Sequence, residues 1–423
     1  MLKVGVIADD FTGATDIASF LVAGGLRTIQ LTGADVKADL SDVDAVVISG
    51  KTRSCPKEEA VTKSLQALRY LKSIGCRQIY FKYCSTFDST KEGNIGPVTD
   101  ALMKEMNCDF TVFSPALPVN GRTVYKGYLF AGDCLLEESG MRNHPITPMT
   151  DSCVKRLVEM QSQCRCAVID LNTVEQGAQA ICQKINELKK EGYAYAVVDA
   201  VKEEHLKIQG EAFADLPLVT GGSGLAKGIA QALTKDAGIN LEAAQAAGRP
   251  KGKKAVAISG SCSVMTNRQV AKYRNLADSM EIEVSEIMSS ENGRQAYLDK
   301  AVDFALQHSE DKFAPLLFAT SNPEKLHAIQ KQYGGEASAH AVEQFFAEVA
   351  RRLQEKGVEK FIVAGGETSG IVTQSLGVQG FHIGPVVAPG VPWVRSINSP
   401  VSLILKSGNF GDEDFFEKTQ KEY

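Results

Sequence analysis

The stretch Lys3-Val4-Gly5-Val6-Ile7-Ala8-Asp9-Asp10-Phe11-Thr12-Gly13-Ala14-Thr15-Asp16 runs from a short apolar segment through two adjacent carboxylates and a glycine-containing turn into a helical pattern. An apolar segment without alternation suits a strand covered on both faces, and a helix that follows at once suits a crossover to a parallel neighbour. The same unit recurs outward along the chain. Residues 3–8 are followed by a helical pattern over 15–23, Ala45–Ser49 by one over 56–73, and Gln78–Lys82 by one over Ile95–Met106. Further strands are expected at 167–170, 194–199 and 216–220. Residues 123–130, after Asn120 and Gly121, interrupt the rhythm and read as an antiparallel hairpin arm.

Between 235 and 254 the pattern lapses into Ala, Gly, Gln, Pro and Lys, the composition of a linker. A second series then begins, with strands expected at Ala255–Ser259, 282–284, 316–319 and 361–364 and a hairpin-like tail over 378–405. The expected fold is therefore α/β: two domains, each a mainly parallel sheet flanked by helices, with the active site in the cleft between them. The boundaries read as 1–235, a linker over 236–254, and 255–423.

At 423 residues the chain is long enough for two or three cores. Its 46 Lys and Arg against 51 Asp and Glu leave a net charge of −5, which gives no electrostatic pull on a nucleic acid. The ten cysteines form no C-x-x-C pair, so neither a zinc site nor a disulfide framework is expected. No apolar run approaches a membrane span or a secretory leader. A cytoplasmic protein with no membrane partner is the expectation.

In an open α/β sheet, ligands bind at the carboxyl ends of the strands, and here those positions are polar. Asp9 and Asp10 follow the first strand; a helix cap needs only one of them. Arg53 lies in Lys51-Thr52-Arg53-Ser54, and Lys82-Tyr83-Cys84-Ser85-Thr86-Phe87-Asp88 follows another strand. Asn120 and Arg122 sit after the stiff Pro115-Ala116-Leu117-Pro118 segment, and His144 opens a second proline-containing loop. Each cation alone could be a surface ion pair. Together, Arg53, Lys82 and Arg122 with the hydroxyls of Ser85 and Thr86 and the carboxylate of Asp88 suit a small polyhydroxylated acid. Arg would clasp its carboxylate in bidentate fashion, and Asp would accept from its hydroxyls.

Gly-rich turns supply a second ligand. Thr220-Gly221-Gly222-Ser223-Gly224 opens a helix but completes neither a Walker A loop nor a dinucleotide fingerprint, so it reads as a substrate-contacting turn through Gly222 and Ser223, as a nucleotide turn, or as a structural turn. In the second half, Ser259-Gly260-Ser261, Gly365-Gly366-Glu367-Thr368 and Ser407-Gly408-Asn409-Phe410-Gly411 place hydroxyls beside glycines after strands. Three such loops suit a nucleoside triphosphate held by backbone amides, with Glu367 on Mg²⁺. An acidic polyol and ATP imply phosphoryl transfer, which needs in-line positioning and a proton acceptor. Asp10 is the candidate base, with Asp9 and Asp88 as competitors.

These residues resemble the four-carbon acid sugar kinase family. The strings Ala8-Asp9-Asp10-Phe11-Thr12-Gly13-Ala14, Lys51-Thr52-Arg53-Ser54, 81–90, 114–122 with 125–130, 144–149, 259–263 and 365–370 carry the likeness across nearly the whole chain. The resemblance implies a sugar-acid-binding N-terminal domain, an ATP-binding C-terminal domain and phosphorylation of a terminal C4 hydroxyl, on 3-oxo-tetronate ahead of erythronate or threonate. A homodimer is left open. The competing classes are an NAD-dependent hydroxy-acid dehydrogenase using 222–228 for its dinucleotide, and a non-catalytic sugar-acid sensor.

Overall fold

The computed structural model describes residues 2–144, 147–235, 238–321 and 323–421. It divides into two compact units, Met1–Ala244 and Gln245–Tyr423. The stretch 236–254 carries a short helix, Leu241–Ala246, while Asp236 and Ala237 lie outside the described residues.

In the first unit the strands are β1 (Val4–Ala8), β2 (Thr28–Leu31), β3 (Ala45–Ser49), β4 (Gln78–Lys82), β5 (Thr111–Ser114), β6 (Arg122–Tyr125), β7 (Tyr128–Ala131), β8 (Cys134–Leu135), β9 (Cys166–Ile169), β10 (Tyr195–Val198) and β11 (Leu218–Gly221). Eight of them form a parallel array in the order β2-β3-β1-β4-β11-β5-β10-β9. Every residue of β1, β3 and β4 is buried, as strands covered on both faces require. The helix Lys57–Ser73 turns Ala60, Ser64, Ala67, Leu68 and Leu71 inward, with Glu58 and Glu59 in its first turn and Lys72 in its last, each favourable to the helix dipole.

Strand β2 escaped the sequence reading because its four residues include Gln30. That side chain is fully buried and accepts from the Thr15 hydroxyl at 2.9 Å, so a polar residue sits where an apolar run would have been expected. The hairpin after Gly121 is present as β6 and β7, which with β8 make a small antiparallel sheet. Its two-residue turn puts Lys126 at φ 51° and Gly127 at φ 75°, the left-handed pair that matches the twist of the flanking strands.

The second unit contains β12 (Ala255–Ser259), β13 (Ser279–Glu281), β14 (Leu316–Phe318), β15 (Lys360–Ala364), β16 (Gly380–Ala388), β17 (Val391–Ser396) and β18 (Ser402–Lys406). The order β13-β14-β12-β15-β18 is parallel, and β17 runs antiparallel to both β18 and β16. The strand expected at 282–284 is displaced: β13 ends at Glu281, and Val284 begins the short helix Val284–Ile287. Ile282 and Val284 are apolar because they are buried under neighbouring elements, whereas the edge strand itself is only half-buried and carries Ser, Met and Glu.

Chain direction decides where the first unit can bind. From β1 the chain leaves toward β2, and from β4 it leaves toward β5 on the opposite side. The loops after β1 and β4 therefore diverge, opening the crevice in which doubly wound sheets hold their ligands. Asp9 and Asp10 follow β1, and residues 83–90 follow β4.

Candidate active site

Asp10 caps the helix Phe11–Ala23, its Oδ1 accepting from the Gly13 amide at 2.9 Å. The helix thus begins four residues before the sequence pattern suggests. Capping needs one aspartate, and Asp9 is free for another task. Asp9 is 5% exposed, and it takes the Arg53 fork through Nε and Nη2, both at 2.9 Å. Nη2 also lies 2.8 Å from Asp10 Oδ1, and Nη1 lies 3.8 Å from Asp88. Arg53 was expected to clasp the carboxylate of a ligand. Its bidentate edge instead clasps Asp9, because three protein carboxylates converge on it.

The backbone builds this arrangement before any side chain does. The carbonyl of Asp9 accepts from the amides of Thr52 and Arg53 at 2.8 and 3.2 Å, and its amide donates to Lys82 at 3.1 Å. Asn94 ties the Arg53 loop down by donating to the carbonyls of Thr52 and Cys55, both at 2.8 Å. After β4, the Thr86 hydroxyl donates to Asp88 at 2.6 Å. Between them Phe87 holds φ at 52°, a conformation that is costly for a side chain of its size. Its ring is fully buried and edge-on to Tyr83 at 5.3 Å, so packing imposes the turn that aims Thr86 and Asp88. Ser85 is half-buried in the same turn.

Lys82 is 2% exposed and donates to the Tyr83 carbonyl at 2.9 Å. Its charge reaches Asp10 and Asp16. Burial pushes the Asp10 carboxyl above the ordinary value, against the pull of Arg53, with the neighbouring Asp9 adding to the rise and Lys82 opposing it. Burial also raises Asp16, with Lys82 and the Ser223 hydroxyl acting the other way. Asp16, passed over as a site residue in the sequence reading, joins the cluster after β1 to the start of the helix Gly224–Thr234. Both Asp10 contacts named above use Oδ1, leaving Oδ2 for a hydroxyl.

Gly222 lies against the next loop: a β-carbon there would stand 2.8 Å from the Pro115 carbonyl oxygen, and one at Gly224 would stand 2.8 Å from that of Ala116. Leu117 bridges to Arg122, whose guanidinium donates to the Asn120 carbonyl. The structure therefore gathers Asp9, Asp10, Arg53, Lys82, Thr86 and Asp88 in one cluster, and packs the start of the 115–122 loop, which carries Asn120 and Arg122, against Gly222 and Gly224. Among the described residues the hydrogen bonds of His144 are local, with Nδ1 accepting from the Thr147 amide at 3.0 Å; Pro145 and Ile146 lie outside the described residues.

The dinucleotide alternative for 222–228 meets a packing explanation. A β-carbon at Gly228 would stand 2.2 Å from the Leu206 carbonyl oxygen, and one at Gly210 would stand 2.1 Å from the backbone of Gly228. The glycines let the helices Glu203–Phe213 and Gly224–Thr234 touch backbone to backbone.

In the second unit a cavity of about 310 Å³ opens where β12 and β15 end. Gly260, Ser261, Gly365, Gly366, Glu367 and Thr368 line it, and Val284, Leu326, Ile329, Ala339 and Val342 supply apolar surface. Gly365, at φ 126°, precedes the helix Gly366–Ser375, which has no side-chain cap, so its first amides are open to an anion. A β-carbon on Gly366 would meet nothing within 4 Å. Gly408 packs against Ser261 and Ser263, which joins the third loop to the first, and Asn409 Oδ1 accepts from the Met265 amide at 3.4 Å. Gly411, at φ 74°, turns the chain against Phe415. Ser259 departs from expectation in one respect: its hydroxyl is buried against Thr320 at 2.6 Å.

The profile of a sugar-binding N-terminal domain matches residues 4–229, and that of a nucleotide-binding C-terminal domain matches 256–416. The chain is 57% identical over 423 residues to the 3-oxo-tetronate kinase of Salmonella typhimurium, covering 100% of both. It is 55% identical over 423 residues to that of Pectobacterium atrosepticum, again covering 100% of both. The chain belongs to the four-carbon acid sugar kinase family. Against the 3-oxo-tetronate kinase of Escherichia coli the identity is 57% over 389 residues, 92% of this chain and 99% of that one. A crystal structure from Salmonella typhimurium, described as a putative tRNA synthase, superposes with a TM-score of 0.95 at 56% identity over 100% of both chains. A Haemophilus influenzae protein superposes with a TM-score of 0.88 at 51% identity, over 98% of this chain and 99% of that one.

Within this family fold, sequence reasoning missed Asp16, the apolar half of the cavity and Lys406. The helices Pro323–Tyr333 and Gly335–Glu355 that line the cavity carry no motif. Lys406 did carry a signal: it ends an apolar strand immediately before Ser407 and Gly408. No helix among the described residues is long and apolar enough to cross a membrane.

Proposed function

We propose that this protein is an ATP-dependent kinase that phosphorylates the C4 hydroxyl of 3-oxo-tetronate. The observation that carries the reading is the second-unit cavity, which joins an apolar wall to the open amino end of the helix Gly366–Ser375. An adenine ring suits the first and a polyphosphate the second. The first unit supplies the acceptor site, with a carboxylate base beside paired charges at a topological switch point. The relatives' names as 3-oxo-tetronate kinases support the choice of substrate.

In this mechanism the sugar acid lies among Asp9, Arg53, Lys82, Ser85, Thr86, Asp88, Asn120, Arg122, His144, Gly222 and Ser223. With Arg53 held by Asp9, the substrate carboxylate is taken by Lys82, Arg122 and the amides after Gly222. Asp88 and Thr86 orient hydroxyls. Asp10 Oδ2 accepts the C4 proton as that oxygen attacks the γ-phosphorus, the bond to the bridging oxygen breaks and ADP leaves. A base with a raised pKa holds its proton more readily as the transfer completes. Ser259, Gly260, Ser261, Gly365, Gly366, Thr368, Gly408, Asn409 and Gly411 form the phosphate loops.

Glu367 and Glu343 both line the cavity, and burial together with the Glu367 charge raises the Glu343 carboxyl, while His340 opposes the rise. Two oxygen donors facing one space fit Mg²⁺, which Glu367 would hold. When bound, Mg²⁺ neutralises charge on the phosphates. The ten free cysteines suit a reducing cytoplasm. The test is ADP release from MgATP by the purified protein across 3-oxo-tetronates, erythronate and threonate. Turnover on a 3-oxo-tetronate is expected to exceed the others; preference for erythronate or threonate would move the protein to another branch of the family, and no ADP with any acceptor would end the kinase reading.

A further inference from the structure

A buried charged group of the second unit has no part in the mechanism above. Lys406 ends β18 with 1% of its surface exposed. Its Nζ donates to Thr266 Oγ1 at 2.8 Å, to the Gly408 carbonyl at 2.8 Å and to the Ser407 carbonyl at 3.2 Å. The Thr266 hydroxyl in turn donates to the same Gly408 carbonyl at 2.6 Å, and the Phe415 ring lies 5.8 Å from Nζ. All three acceptors are neutral.

The nearby carboxylates are engaged elsewhere. Asp412 pairs with Lys418, Glu413 with Arg268 at 3.6 Å, Asp414 with Lys272 and Glu417 with Lys421. Across the sheet the partner of Lys406 is Ala364. The helix Val264–Tyr273 faces it with Thr266, and its charged residues Arg268 and Lys272 are cations already paired. Burial pushes the Lys406 ammonium down to about 7. A buried cation with only neutral acceptors is expensive unless an anion completes it.

The position of Lys406 says where that anion enters. Its own carbonyl accepts from the Gly365 amide at 2.9 Å, and the loop it pins, 407–411, packs on Ser261 and Ser263. Lys406 is thus at the junction of all three glycine loops. Drawing the Ser407 and Gly408 carbonyls inward turns the opposite sides of those peptide planes outward, which are the amides of Gly408 and Asn409. We propose that Lys406 is the positioning residue of the nucleotide site, aiming these two amides at the nucleotide's phosphates, whose charge in turn completes the buried ammonium. This rests on the nucleotide site proposed for the second unit.

Phosphate binding must then favour the protonated lysine, so ADP binding takes up protons where the free protein is mostly neutral at this residue. That condition is met increasingly as pH rises through about 7, and hardly at all near pH 5.5. Calorimetric titration of the full chain with ADP, in two buffers of different ionisation enthalpy, counts the protons. Uptake approaching about one proton at pH 8 and vanishing by pH 5.5 is expected. Lys406→Met is expected to abolish the uptake and weaken ADP about tenfold or more, while leaving adenosine affinity unchanged. Thr266→Val, which loosens the loop without removing the charge, is expected to weaken ADP yet keep the uptake. Equal uptake in Lys406→Met and wild type, or ADP binding by wild type without proton exchange at pH 8, would overturn the proposal alone. Wild-type protein that binds no ADP would overturn the kinase reading with it.

Discussion

Two glycine-rich turns, one in each unit, follow a parallel strand and open a helix, yet they do different work. In the first, Gly228 meets Gly210 of the helix Glu203–Phe213 with no room for a β-carbon, and most of the chemistry beside it belongs to charged side chains. In the second, Gly366 faces open space, Gly365 takes a left-handed φ, and the chemistry belongs to backbone amides at a helix start. At the first site Arg53 lies among the carboxylates of Asp9, Asp10 and Asp88, while at the second Lys406 has neutral acceptors only. A glycine string therefore tells where backbones come close, and only the surroundings tell whether the approaching partner is protein or ligand.

The sharpest way to break this contrast is Gly228→Val. Its β-carbon would enter the Leu206 carbonyl, which is backbone and cannot swing away, so the two helices must separate. A loss of more than about 3 kcal/mol is expected, from overpacking plus strain. Urea unfolding checks it; a loss under about 1 kcal/mol would mean that the close approach is not what selects glycine here.

Much of this was legible in the residues and some could not be. The strand after Met1 and the carboxylates that end it could be read because a fully apolar run and two adjacent Asp residues are local features. The role of Arg53 was inverted because its partner Asp9 lies 44 positions away, and only the sheet order β3-β1-β4 brings them together. Lys406 reads as one more lysine until the strand is known to be central and Phe415 to cover it. Strand β2 hid behind a buried glutamine, and β13 behind two apolar residues that pack from a loop and a helix instead. Composition marks which residues are apolar; it does not say which neighbour buries them.

Next in size is Asp10→Asn. Asparagine keeps an oxygen for the Gly13 amide, so the helix cap survives and only the proton acceptor is lost. Turnover is expected to fall about 10²–10⁴-fold, the usual worth of a general base, with the melting temperature little changed. The sign of the pH dependence follows from the raised pKa: ionised Asp10 is the active form, so kcat falls as pH drops through a value above that of an ordinary aspartate. The variant should lose that acid limb. Near-normal turnover, or an unaltered limb, would pass the base role to Asp9 or Asp88.

The smallest effect is expected at the turn built most like the first. Gly366→Val puts its β-carbon where nothing outside the local helix backbone lies within 4 Å, at the first position of a helix, so stability should shift by no more than about 0.5 kcal/mol. What the side chain does meet is the phosphate that the open amides invite. ADP affinity should fall about tenfold or more, the loss of a charge-assisted hydrogen bond, while adenosine affinity holds. Unchanged ADP affinity would show this turn to be as structural as the one at Gly228. A large loss of stability would show that protein, and not ligand, occupies the space beside it.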